Sequence, residues 1–332
     1  MNLLKKTDKI FVAGHNGMVG NSIIKSLNSN GYKNILSTNR DLIDLRDSFA
    51  VRNWFEENKP DITIIAAAKV GGILANSSYP YEFLLDNLKI QNNIIESAWE
   101  NGVRRLLFLG SSCIYPKFAS QPIKEDYLLN GSLESTNQWY AIAKIAGIKL
   151  CEALRYQHGF DAISLMPTNL YGPKDNYHPL NSHVIPALIQ RFHKAILNEE
   201  KVVKCWGSGK PLREFLHVDD LGNACCFALE NWDPNSTNAP TDKNGKKLNY
   251  LNVGTGIDYS IEYIANRIAA EFSFNGEIEW DQSKPDGTPR KLLDVSNINK
   301  LGWKHEIKLD EGIRKTVFEY KNELENKEIR IR

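Results

Sequence analysis

"KIFVAGHNGMVGNSIIKSL", residues 9–27, decides the fold class. "KIFVAG" is a short, almost wholly apolar run, as a strand buried on both faces requires. A helical pattern opens at Met18 and stops at Gly31. Between them stand Gly14, Gly17 and Gly20, spaced G-x-x-G-x-x-G. Glycine permits a tight turn, lets backbone approach a pyrophosphate and lets the helix pack on the strand. The helix N-terminus then presents its free N–H groups to negative charge. In strand–turn–helix context such a triplet predicts a dinucleotide site.

The same alternation continues. "NILSTN", "DITIIAAA", "RRLLFLGSS" and "DAISLMPTNLYG" read as further strands. Helices are expected over "DSFAVRNWFEEN" with Asp47 as cap, around Tyr81–Asn101 closed by Gly102, and over "NQWYAIAKIAGIKLCEALRYQHG". Strands separated by helices predict an α/β fold, a Rossmann-type doubly wound parallel sheet. After Gly172 the rhythm changes, and a smaller, interleaved α/β substrate region is expected. The expected division is 1–172 for the dinucleotide, with returns at 215–256, and 173–332 mainly for substrate. "NYLNVGTG" reads as a strand, 231–248 as a surface loop, and "HVDDL" as a helix start capped by Asp219 or Asp220.

Composition narrows the partners. A net charge of +1 over 332 residues leaves no electrostatic case for nucleic acid or an anionic membrane. No apolar run approaches the ~20 residues of a membrane span, and "MNLLKKTDKIFVAG" carries no signal-peptide core. The five cysteines (Cys113, Cys151, Cys205, Cys225, Cys226) are odd in number and form no C-x-x-C pair. A reducing cytoplasm is expected, with neither a disulfide framework nor a metal site. Cys225 and Cys226 fit helical core packing.

About 20 residues beyond the glycines, where an acidic residue would bind a ribose 2′-hydroxyl, stands Arg40. Its planar fork of donors suits a 2′-phosphate and favours NADP(H), although Asp41 follows at once. "YAIAK" sets Tyr140 and Lys144 at i and i+4 on one helical face. An ammonium one turn away is expected to lower the phenol and make it a usable acid–base. Ser111 ends a parallel strand, where ligands bind in open sheets. Cys113 points the same way if the chain stays extended; a cysteine at such a place is otherwise a small core residue.

On this glycine turn, strand-end serine and Tyr-x-x-x-Lys, the sequence resembles the extended short-chain dehydrogenase/reductase superfamily. The strings "AGHNGMVG", "AAAKVGGI", "FLGSSCIYP", "YAIAKIAG", "MPTNLYGP", "NSHVIPAL", "WGSGKPLREFLHVDDL", "NVGTG" and "KPDGTPRKLLDV" narrow this to a resemblance to the GDP-L-fucose synthase family. The resemblance implies 3,5-epimerisation and NADPH-dependent 4-reduction of GDP-4-keto-6-deoxy-D-mannose. It implies reductase roles for Ser111, Tyr140 and Lys144, and epimerase roles for Cys113 and His183.

For the cofactor it implies Gly14, Asn16, Gly17, Met18, Val19 and Gly20 in the turn, and Arg40 beyond it. Asn16 stands where some relatives carry a basic residue. Leu109, Gly110 and Ser111 then follow at one strand end, Pro167, Asn169 and Leu170 at the next, joined by Tyr140, Lys144 and His183. Arg191, Trp206, Arg213 and Asp286 are implied to bind the GDP-sugar, with His178 and His193 structural. A homodimer through a helical bundle is also implied. The rival readings are a 4,6-dehydratase, a 4-epimerase, a 4-reductase acting on a GDP-heptose, and a catalytically silent NADP-binding protein.

Overall fold

β1 (Ile10–Ala13) is buried along its whole length. It leads into α1 (Met18–Ser29), which turns Gly20, Ile23 and Leu27 inward at helical spacing. The computed structural model describes residues 3–179, 181–284 and 286–331. β2 (Ile35–Leu36), α2 (Ser48–Asn58), β3 (Ile62–Ile65), α3 (Ile73–Ser78), α4 (Pro80–Glu100), β4 (Arg105–Leu109), α5 (Gln138–His158) and β5 (Asp161–Pro167) follow. With β9 (Tyr250–Val253) the strands form a parallel sheet in the order β2-β1-β3-β4-β5-β9. The chain leaves β1 to one side for β2 and to the other for β3. That reversal opens a crevice at the strand carboxyl ends, where ligands bind in such sheets.

The expected strands and helices are present, with three differences. β2 is two residues long, because Asn39 bends the chain away by accepting from the N–H groups of Asp41 and Leu42 (both 3.0 Å). "DAISLMPTNLYG" breaks at Thr168: β5 stays in the large sheet, and β6 (Asn169–Tyr171) pairs with β8 (Leu212–His217). The third difference is a helix cap. Asp47 caps α2 as expected. The helix after β8, here α7 (Val218–Asn231), is capped by the His217 ring, not by an aspartate. Asp219 is taken by Lys25 on α1 (2.7 Å). Asp220 is taken by the N–H groups of Glu306 and Ile307.

α6 (Val184–Leu197), β7 (Val202–Trp206), β10 (Asp258–Ser260), α8 (Ile261–Glu271), β11 (Glu277–Asp281), β12 (Arg290–Lys291), α9 (Ser296–Leu301) and α10 (Leu309–Glu325) complete the chain. Two apolar cores result. One surrounds the large sheet and includes Phe11, Ile64, Phe108, Leu165, Trp232 and Val253. The other gathers Tyr177, Ile189, Phe192, Ile268, Ile313 and Tyr320. The chain passes back into the first core through α7 and β9, and the close fit of Gly222 on Ser22 lets α7 lie against α1. Glu214, wholly buried in β8, accepts from the N–H groups of Thr255, Gly256 and Leu293. One carboxylate thus ties both cores together beside the crevice.

Candidate active site

The glycine turn is shaped by contact. Gly14 has φ +88°, and a methyl group there would meet the Ala67 backbone at 2.7 Å; one on Gly20 would meet the Gly14 carbonyl at 2.2 Å. Gly17 is the N-cap of α1 and offers no side chain to the first N–H groups of the helix. These are left for an outside anion, the arrangement a dinucleotide pyrophosphate requires. Met18 and Val19 begin the helix at this point, and Asn16 is exposed on the turn. Arg40 is exposed beyond β2, in the loop that follows the strand. The residues present therefore fit a dinucleotide.

At the next strand end, Leu109, Gly110 and Ser111 lead out of β4. The chain does not stay extended to Cys113. It enters a 3-10 turn, Ser112–Ile114, because the Ser111 hydroxyl accepts from the Cys113 N–H (3.3 Å). The thiol is buried between charged groups and the core side chains Tyr115 and Ile123. It lines a cavity of about 40 Å³ with Asn137, Glu134 and Lys291. Burial pushes the thiol up, while the ammonium groups of Lys291 and Lys144 and the Ser111 hydroxyl pull it down.

α5 carries Tyr140 and Lys144 over this turn. Lys144 donates to the Leu109 carbonyl (2.8 Å), and desolvation lowers it to about 8. Tyr140 packs edge-on to Phe83 (6.5 Å between ring centres). The expected lowering of the phenol is not found: burial raises it, and the Cys113 charge raises it further. The physical reason is burial, which outweighs the neighbouring ammonium even though Lys144 Nζ lies 5.8 Å from the Tyr140 ring centre. Tyr140 is held protonated, a donor at rest.

Pro167 ends β5, and Asn169 and Leu170 open β6; the Asn169 amide donates to the Glu214 carbonyl (2.8 Å). His183 caps α6 by its backbone alone. It sits on the loop whose Asn181 carbonyl accepts from the Gly72 N–H (2.8 Å). Gly71, beside it, faces Phe83, the same ring that meets Tyr140. His183 is exposed on this loop, and desolvation holds its imidazole below the usual range.

Arg191, Trp206, Arg213 and Asp286 form a second group. The Arg191 guanidinium lies 5.0 Å from the Trp206 ring centre, and half of that indole surface is exposed (47%). Asp286 accepts from the Ser208 N–H (2.9 Å) and hydroxyl (2.6 Å), which hold it below the ordinary carboxylate range. Arg213 faces Asp286. Of the two histidines read as structural, His193 bonds the Tyr320 hydroxyl and His178 accepts from the Asn181 N–H.

Two residues escaped the sequence reading. Lys291 pairs in register with Arg213 across β12 and β8 and shares the Cys113 cavity, so it joins the two groups. Asn137 lines the same cavity with a buried side-chain oxygen that has no partner. Both lie inside or beside quoted motifs, but nothing in their spacing singles them out.

Comparison with known proteins agrees with this geometry. The NAD dependent epimerase/dehydratase family matches residues 10–239. GDP-L-fucose synthase 1 of Arabidopsis thaliana is 52% identical over 94% of this chain and 92% of its own. GDP-L-fucose synthase of Escherichia coli (strain K12) is 51% identical over 93% and 95%. Among solved structures, a GDP-mannoheptose C4 reductase from Campylobacter jejuni with NADP bound is 37% identical, with TM-score 0.86 over 96% of this chain and 99% of that one. The chain belongs to the NAD dependent epimerase/dehydratase family, and within it to the group of the GDP-L-fucose synthases.

Proposed function

We propose that this protein converts GDP-4-keto-6-deoxy-D-mannose to GDP-L-fucose with NADP(H), by epimerisation at C3 and C5 and reduction at C4. The observation that carries this is the thiol of Cys113, set among Ser111, Tyr140 and Lys144 and flanked by Lys291. A plain reductase needs no such thiol. The 4-keto group makes the C3 and C5 protons acidic, because the enolate spreads its charge onto oxygen. Cys113 is the base on one face, favoured by two ammonium groups; His183 returns the proton on the other. Ser111 and Tyr140 hold the enolate oxygen. When bound, NADPH supplies the hydride for C4. Tyr140 then gives its proton to the oxygen, and Lys144 orients the cofactor ribose.

Residues 1–172, with the return at 215–256, hold the dinucleotide, and 173–332 mainly the GDP-sugar. Arg191 and Arg213 meet the substrate diphosphate, Trp206 walls the base, and Asp286 accepts from a sugar hydroxyl. Copies pair through α4 and α5, where Tyr81 and Trp99 of α4 and Trp139 and Ile142 of α5 are exposed. The described residues contain no helix long and apolar enough to cross a membrane. Five buried, unpaired cysteines fit a reducing cytoplasm.

Incubation with the keto sugar and NADPH in deuterated water tests the reading. The expected product is GDP-L-fucose labelled at C3 and C5. A C4-reduced product without label overturns the epimerase half and favours the second reading, a GDP-heptose-type 4-reductase, which the likeness to the Campylobacter enzyme supports. Arg40→Asp tests the cofactor: NADPH binding is expected to weaken at least tenfold (about 1.4 kcal/mol) more than NADH binding. Equal losses count against a 2′-phosphate contact.

A further inference from the structure

The C-terminal tail runs back from the second core to the glycine turn. α10 ends at Glu325, and Lys327 reverses the chain with φ +58°. The Glu328 N–H returns to the Glu323 carbonyl (2.8 Å), and Ile329 packs on the second core. The Arg330 carbonyl accepts from the Tyr177 N–H (2.8 Å). The guanidinium of Arg330 then reaches Gly17: a methyl group built on that glycine would lie 3.7 Å from Nη1. Gly17 is the residue at which backbone must come close to a pyrophosphate. A guanidinium in that direction faces the space a diphosphate enters, opposite the free N–H groups of α1.

We propose that Arg330 is a cofactor-binding residue, and that residues 326–331 are a strap that clamps the dinucleotide pyrophosphate against the start of α1. The proposal rests on the dinucleotide reading above. A guanidinium matches two phosphate oxygens at once. The strap and the end of α10 from which it springs are both tied to the segment after β6. The Glu323 carboxylate accepts from the Lys174 N–H (2.7 Å). Asp175, pushed up to about 7 by burial and pulled back by Arg330, lies beside it. Lys174, Asp175 and Tyr177 belong to the segment between β6 and α6 that ends in His183. One strap therefore links the phosphate turn to the loop of a proposed catalytic residue.

The test measures equilibrium binding of NADPH and of NADH to the full chain by tryptophan quenching, for the wild type, Arg330→Met and Arg330→Lys. Arg330→Met keeps the stem and is expected to raise both Kd values by the same factor, about tenfold or more, as loss of a charge-assisted hydrogen bond implies. Arg330→Lys is expected to recover part of the loss. Binding to the wild type is expected to weaken with salt more steeply than binding to Arg330→Met, a difference that a purely structural tail would not produce. Unchanged Kd values in a variant of unchanged Tm overturn the proposal. So does a loss confined to NADPH, which would place Arg330 at the 2′-phosphate. Failure of the wild type to bind either dinucleotide overturns the cofactor reading itself.

Discussion

Tyr140→Phe is expected to slow NADPH oxidation by roughly 10²–10⁴-fold, the usual contribution of a positioned acid, while leaving NADPH affinity within a factor of about two. The change removes one oxygen and keeps the ring that meets Phe83, so packing is preserved. The phenol is raised by burial and by Cys113, hence protonated through neutral pH. It loses its proton only when C4 receives hydride and its oxygen becomes strongly basic. The sign follows: reduction needs the protonated phenol and weakens only as pH rises toward its elevated pKa. Single-turnover stopped-flow at 340 nm measures the step (the nicotinamide absorbance). A rate equal to wild type would remove Tyr140 from the chemistry.

Cys113→Ser is expected to cut deuterium entry at C3 and C5 by roughly 10²–10⁴-fold and to leave reduction of the unepimerised ketone. Serine nearly matches the thiol in size, and the cavity of about 40 Å³ has room for it. A hydroxyl is a far weaker acid, so the base is lost without loss of shape. The active form is the thiolate. Burial raises the thiol and Lys291 lowers it, so exchange climbs as pH rises toward the alkaline side. Lys291→Met should move that climb upward and slow exchange at pH 7 by about tenfold, one pKa unit's worth of lost charge. Proton NMR in deuterated water reads both variants. Unchanged exchange in Cys113→Ser would end its assignment as base.

The large sheet was legible because its signals are local. Apolar runs such as "IFVA" bury on both faces, Asp47 sits where a helix cap must, and the glycines at 14 and 20 stand where the tight turn leaves no room for a side chain. Arg105 shows the limit of such reading. It stands in an apolar strand, yet it is wholly buried, paired with Asp161 and bonded to the carbonyls of Ala228 and Trp232. Those partners come from residues more than fifty positions away. The α7 cap behaves likewise: Asp219 and Asp220 satisfy the local rule for a cap, but Lys25 and the backbone of Glu306–Ile307 hold them more strongly.

By itself the sequence determined the doubly wound sheet, the phosphate turn and the candidates Ser111, Tyr140 and Lys144, because turn, helical and strand-end geometry depend on neighbours along the chain; Cys113 and His183 entered through the resemblance to the GDP-L-fucose synthase family. Only the tertiary structure decided the charges around them. It placed Lys291 from β12 beside Cys113, sent the Lys144 ammonium to the Leu109 carbonyl, buried Tyr140 so that it stays protonated, and brought Arg330 from the tail after α10 to Gly17. Electrostatic interaction falls with distance in space and with solvent access, and neither is fixed until the chain has folded.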